Sequence, residues 1–214
     1  MLKKLLIALI IISFVIINLK AGEDNMVKLP EPQKQGGMPL MEALNKRKTI
    51  RDFKDKNLSE QTLSNLLWAA FGINRPESEK RTAPSAVNWQ EIEIYVSSKS
   101  GLYLYNAQQH ALQKILDKDI REHTGMQDFV DDAAINLVFV ADYTKMGEDM
   151  TDEAKKYYSW CDTGYISQNV YLYCASEGLA TVVRGMVDRE KLRKIMQLKD
   201  NQKIVMAQTV GYPD

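Results

Sequence analysis

The 214-residue chain has little of what most metal and hydrolytic sites are made from, with only two histidines and two cysteines. No His-Glu-x-x-His or Cys-x-x-Cys spacing occurs, so the common zinc frameworks are excluded. Gly-x-Ser-x-Gly is absent, and with it the nucleophile elbow of the α/β-hydrolases. Neither a P-loop nor Gly-x-Gly-x-x-Gly appears. Positive charge is not in excess, since 28 Lys and Arg face 28 Asp and Glu, whereas a nucleic-acid binder carries a basic surplus. Long apolar runs are missing too. The run from Leu5 to Ile17 would span about 20 Å as a helix, short of a hydrocarbon core of about 30 Å.

The scarce cysteines also argue against a bridge. Cys161 and Cys174 fall thirteen positions apart in one expected helix, about 20 Å along its axis, against the roughly 4.4–6.8 Å a disulfide spans. Cys174 reads as a small core residue.

What is present begins with a targeting signal. Lys3 and Lys4 precede the apolar run, Asn18 and Lys20 end it, and Ala21 and Gly22 follow as small residues. That is the layout of a secretory signal over residues 1–21. It implies an exported, periplasmic protein, with an uncleaved N-terminal anchor as the alternative. Removing it leaves 25 cations against 28 acids, a net charge of −3, and no membrane span in the mature chain. Residues 22–38, with Pro30, Pro32, Gly36 and Gly37, read as an irregular N-terminal arm. Residues 39–214 form one domain with enough apolar content for a core.

Within that domain the spacing predicts a short helix over 39–46. A second follows Ser59, with Leu63, Leu66, Leu67, Ala70 and Phe71 on one stripe and Gly72 as its stop. Residues 74–90 read as a polar loop. Glu91–Ser97 alternates as a half-buried strand, and 102–106 is its hairpin partner. Helical segments are expected over roughly 107–132, broken near Gly125, with His110 and His123 on their exposed faces. Ile135–Ala141 is apolar throughout, as a central strand buried on both faces is. A long helix covers about 155–177 and stops at Gly178. A short strand, a helix capped by Asp188 and a final strand complete an α+β pattern without βαβ repetition.

The chemistry concentrates in "NKRKTIRDF", residues 45–53. If this stretch is extended, Arg47, Thr49 and Arg51 project to one side. Two guanidinium groups flanking a hydroxyl, with Lys48 beside them, make a compact donor array suited to a phosphate. The bland alternative is a solvated basic turn.

Several segments, in order, resemble the FMN-dependent nitroreductase superfamily over about residues 40–213. "RKTIRDF" is similar to its Arg-(Arg/His)-Ser-x-(Arg/Lys)-x-Phe motif, "RTAPSAVNWQ" to its Pro-Ser-x-x-Asn-x-Gln loop, and "FVDDAAINLVFVAD" to its buried strand. "DTGYISQNVYLYCASEGLATVVRGMVD" resembles its long helix with the Gly-Leu exit, and "VGYP" its last strand. Details lean toward the thiazole-oxidase-like, SagB-type branch. The resemblance implies an α+β nitroreductase-like fold, with a central, mostly antiparallel sheet flanked by helices, and a homodimer with FMN at its interface. It implies that Arg47, Lys48 and Thr49 hold the FMN phosphate and ribityl chain, and that Arg51 lies near the N1–C2 carbonyl edge. Pro84, Ser85, Ala86 and Asn88 would reach the same flavin from the partner subunit, and Arg184 and Gly185 would border N5 with a backbone N–H. Tyr165, Tyr171 and Tyr173 would lie on an interface helix. Many family members carry basic residues beyond the last strand that have no counterpart here, so either Arg47, Lys48 and Arg51 hold the phosphate unaided or FMN binds more weakly.

The implied activity is two-electron hydride transfer at flavin N5, to or from a small organic substrate. NAD(P)H is the customary reductant; a quinol or another exported carrier suits an exported site. The alternatives are a flavin-binding dimer without turnover, or a relative performing desaturation or reductive dehalogenation.

Overall fold

The computed structural model describes residues 25–214; the expected signal, residues 1–21, lies outside them. Most of the described strands join one antiparallel sheet. Its strands are β1 (Met26–Lys28), β2 (Phe53–Lys54), β5 (Ile92–Ser98), β6 (Gly101–Asn106), β7 (Ala111–Leu116), β8 (Ile135–Asp142), β9 (Ala180–Arg184) and β10 (Gln202–Pro213). The order is β1-β7-β6-β5-β8-β10-β2, with β9 also on β10. The arm expected to be irregular thus contributes an edge strand.

Helices cover both faces. On one lie α1 (Leu40–Lys46), α2 (Glu60–Phe71) and α3 (Asp152–Glu177); on the other lies α4 (Arg189–Ile195). The pleat of β8 explains the arrangement. Leu137, Phe139 and Ala141 pack with Leu66, Leu67, Ile166, Val170 and Cys174. Val138 and Val140 turn to Leu192 and Met196. Alternate residues of one strand therefore feed two cores, and a continuous apolar run is what such a strand requires.

Capping sets the helix ends. Ser59 Oγ accepts from the Thr62 N–H at 3.0 Å, Thr151 Oγ1 from Ala154 at 3.2 Å, and Asp188 Oδ1 from Lys191 at 3.1 Å, each satisfying an orphan donor. Gly178 closes α3 at φ 68°, its N–H bonding Cys174 O, a left-handed position that favours glycine.

Two expectations fail. Residues 107–132 are not helical: Ala111–Leu116 is strand β7, paired with both β6 and β1, and only a 3₁₀ turn follows at Arg121–His123. "ALQKIL" suits either period, and the exposed edge of the β5–β6 hairpin decided between them. The turn that enters β7 places His110 at φ 46°. Nor is His110 an exposed residue. Its Nε2 lies 2.7 Å from Ser64 Oγ and its Nδ1 3.0 Å from Tyr105 O–H. Ser64 is fully buried and donates to Pro30 O at 2.6 Å, so this serine–histidine pair pins the arm and offers no nucleophile. The loop before β5 also holds a two-stranded ribbon, β3 (Ile73–Arg75) with β4 (Lys80–Arg81).

Candidate functional site

Arg47 ends α1 by turning to ψ 120° while its N–H still bonds Ala43 O. The chain then runs extended beside β9, where the Ile50 N–H donates to Thr181 O at 3.1 Å. Tyr171 of α3 holds the two together. Its hydroxyl lies 3.0 Å from Thr49 Oγ1 and accepts from the Val183 N–H at 3.1 Å. The Arg47 guanidinium stands 5.3 Å over its ring, in cation–π range. Lys48 and Ile50 line a cavity of about 520 Å³ that Tyr171, Leu179 and Pro213 also line.

Among the described residues, Arg47, Lys48 and Arg51 form no ion pair. Lys46, one position earlier, is paired with Glu42 at 2.7 Å. The helix thus neutralises its own last cation and leaves the next ones free. Crowded like charges without a paired anion are unfavourable.

The second group of expected site residues lies in the loop before β5, against another part of α3. Ser85 Oγ accepts from the Gln90 N–H and Ser85 O from the Asn88 N–H, both at 3.0 Å. Val87, Asn88 and Gln90 all adopt positive φ, at 51°, 59° and 50°. For a β-branched residue this is strained, and Val87 nonetheless projects 83% exposed. The loop is tied to α3 by the Ala86 N–H donating to Asp162 Oδ2 at 2.9 Å and by Trp89 stacking edge-on against Tyr158 at 5.6 Å. From Asp162 to Tyr171 is nine residues, about 14 Å of helix. Within one chain, Pro84, Ser85, Ala86 and Asn88 are therefore anchored well away from the basic segment.

Beneath that loop lies a feature the strand pattern did not reveal. Glu91 is fully buried, although the alternation expected from the sequence assigns it to an exposed face. Neither of its carboxyl oxygens meets a hydrogen-bond donor. Burial first, and then the adjacent Asp162 carboxylate, push its pKa up to about 7. Asp162, itself buried, is also raised, by burial. A protonated Glu91 donating to Asp162 resolves the conflict.

The third group is split. The Gly185 backbone is exposed, with open space where a Cβ would stand. Met186 beside it bonds across to the Met126 N–H through its carbonyl at 3.1 Å, and both methionine side chains are exposed. Arg184 turns inward. Its Nε donates to Thr209 Oγ1 at 2.9 Å, Nη1 to Thr124 O at 2.9 Å, and Nη2 to Asn136 Oδ1 at 2.8 Å. Its side chain is therefore part of the interior, and only its backbone can border a ligand.

An antiparallel sheet between helical layers, with a basic segment stapled to its longest helix, defines an α+β protein. The sequence profile of the nitroreductase family matches residues 44–212, and the chain belongs to that family. A nitroreductase-like protein of Methanocaldococcus jannaschii is 29% identical over 195 residues, covering 86% of this chain and 96% of its own. The crystal structure of a nitroreductase-like protein of Ralstonia eutropha is 40% identical with a TM-score of 0.84, covering 89% of this chain and 90% of that one. The NADPH:FMN oxidoreductase of Vibrio harveyi, solved with NAD+, shares the fold at 20% identity and a TM-score of 0.62, over 82% of this chain and 69% of that one. The chain thus has the nitroreductase fold, as its motif order implies, and is an oxidoreductase of that family. Among the described residues no helix is long and apolar enough to cross a membrane.

Proposed function

We propose that the protein is an exported, FMN-dependent oxidoreductase that moves two electrons between the flavin and a small organic substrate, as a homodimer. The observation that carries this reading is the cation segment: among the described residues Arg47, Lys48 and Arg51 join no ion pair, while their neighbour Lys46 has one. FMN fits it: a phosphate supplies the missing anion, and charge-assisted contacts from Arg47, Lys48 and Arg51 hold it. Thr49 is kept in place by Tyr171. Gly185 leaves its backbone open, so an N–H there can approach a ring edge. When bound, the flavin accepts and releases the electron pair. The protein's residues position it, and their fixed charge favours its electron-rich state.

Two features of α3 support the dimer. Its surface carries exposed aromatics, Tyr157, Trp160 and Tyr165, and Leu40, Met41 and Leu44 of α1 are exposed as well. A monomer rarely leaves a patch of such side chains to water. Gly164 sits in the same helix with open space above it, although a mid-helix glycine costs about 1 kcal/mol against alanine. Close approach of a second helix accounts for it. Two copies packed antiparallel along α3 would bring the Pro84–Asn88 loop of each toward the basic segment of the other. Gly164→Leu is expected to turn the dimer into monomers and to weaken FMN binding at least tenfold. Light scattering on the eluting protein checks the first effect and flavin titration the second; an unchanged dimer would take Gly164 out of the interface.

Residues 1–21, read as a secretory signal, put the site in the periplasm, away from cytosolic NAD(P)H, so a quinol or another exported carrier is a natural donor. Steady-state oxidation of nicotinamide and quinol donors tests turnover. A protein that binds FMN and oxidises neither would be a flavin-binding dimer only.

A further inference from the structure

Arg184 is 3% exposed, and every group that meets its guanidinium is neutral: Thr209 Oγ1, Thr124 O and Oγ1, and Asn136 Oδ1. No carboxylate pairs with it among the described residues. Burial alone lowers its pKa, to about 10, so it remains charged at neutral pH. Buried charges are ordinarily paired, because desolvating an unpaired ion is expensive. The protein nevertheless keeps this one in place. A Cβ on Gly125 would overlap Arg184 Nη1, so the turn is pared back to glycine to admit the guanidinium. Asn136 Oδ1 also accepts from Thr209 Oγ1 at 2.7 Å, and Asn136 Nδ2 donates to Val130 O at 2.6 Å, which fixes the acceptor side as well.

The position of this charge gives it a use. Arg184 is the last residue of β9, whose Val183 N–H meets the same Tyr171 hydroxyl that holds Thr49. Gly185, the open backbone position, comes next. A fixed positive charge in a poorly solvated interior acts strongly on any charge that develops nearby and needs no reorganisation to do so.

We infer that Arg184 is an electrostatic support of the redox centre: its buried, acid-free guanidinium stabilises the reduced, anionic flavin relative to the oxidised one and so raises the cofactor's reduction potential. This rests on the flavin reading above and adds a role for a residue that touches no ligand. It is a positioning charge and not a catalytic residue.

The two-electron midpoint potential of the FMN-loaded full chain, measured against free FMN, tests it. Three variants are compared: Arg184→Met, which removes the charge; Arg184→Lys, which keeps it; and Asn136→Asp, which sets a carboxylate against it with almost no change of shape, giving up the donor to Val130 O. In the Met and Asp proteins the preference for reduced over oxidised flavin is expected to fall at least tenfold, about 30 mV for a two-electron couple. The Lys protein should stay within threefold of wild type. A purely packing role would leave the potential unmoved and would not sort variants by charge. Flavin that stays bound at wild-type potential in Arg184→Met and Asn136→Asp overturns the inference while the flavin reading stands. If Arg184→Met fails to fold, Asn136→Asp decides alone. A protein that takes up no flavin overturns both.

Discussion

Replacing Arg47 and Arg51 together by alanine is expected to lower FMN affinity at least a hundredfold and to leave the fold intact. A hydrogen bond to a charged group contributes about 1.5–3 kcal/mol, and 1.4 kcal/mol is about a factor of ten in binding. Losing two such contacts therefore removes between two and four orders of magnitude. The folded state has little to lose. Arg51 is exposed and joins no ion pair among the described residues. Arg47 gives up its stack on Tyr171, about 0.5–1 kcal/mol at such a site. Fluorescence titration with FMN and with riboflavin, beside a thermal melt, separates the outcomes. Wild type should prefer FMN because only FMN carries the phosphate, and the double variant, left with Lys48 alone, should lose most of that preference. Lysine at both positions should restore part of it, since the charge returns without the bidentate fork. Equal FMN affinity in wild type and the alanine variant would mean that the phosphate lies elsewhere.

Glu91→Gln is expected to stabilise the protein at pH 8 by about 2–3 kcal/mol and to do nothing of the kind at pH 4. The folded-state pKa of Glu91, about 7, lies above its ordinary 4.5. Folded protein therefore retains a proton that the unfolded chain has already released. Its contribution to stability is complete below about pH 4.5, declines as the pH climbs, and is lost once the pH has passed about 7. Glutamine keeps the shape, donates an N–H toward Asp162 and cannot ionise, so this decline disappears. Asp119 and Asp142, lowered by hydrogen bonds from Arg121 and from Thr144 that outweigh their own burial, titrate in the opposite sense. They are common to both proteins, so the difference between the two urea-unfolding curves at each pH isolates the Glu91–Asp162 pair. Two parallel pH profiles would show that residue 91 is ionised in the fold or has a partner of its own. The same pair bears on the site, because the Ala86 N–H rests on Asp162. Asp162→Asn weakens that anchor and is expected to loosen the strained Val87–Gln90 turn, measurable as faster amide exchange at Ala86.

How far the sequence carried the fold depended on whether a decision was local. The caps at Ser59 and Asp188 and the glycine stop at Gly178 are written in neighbouring residues. The two-faced burial of Ile135–Ala141 is legible because both pleat faces are apolar. β7 was not legible, because its six residues fit a helical stripe as well as a strand, and what settles them is the edge of a hairpin formed by other segments. Glu91 was misread for a related reason. Glu91 stands one residue before β5, so the strand's alternation does not govern its side chain, and nothing local says that Asp162 of α3 returns from far along the chain to lie against it. The basic segment stood out as a cluster of like charges, yet its fastening could not be read, since Tyr171 lies 122 residues from Thr49. Arg184 is the sharpest case. The motif order singled out the residue, and only the packing of Thr124, Asn136 and Thr209 around it revealed that its charge points inward.

The most direct measurement is to purify the full chain without added cofactor, denature it, and identify the released ligand by mass spectrometry beside the absorbance of the native sample. We expect a yellow protein, bleached by a reductant, that releases FMN at close to one per chain. A colourless protein that releases no flavin, and takes up none when FMN is supplied, would contradict the claim that the segment around residue 50 exists to grip a flavin phosphate.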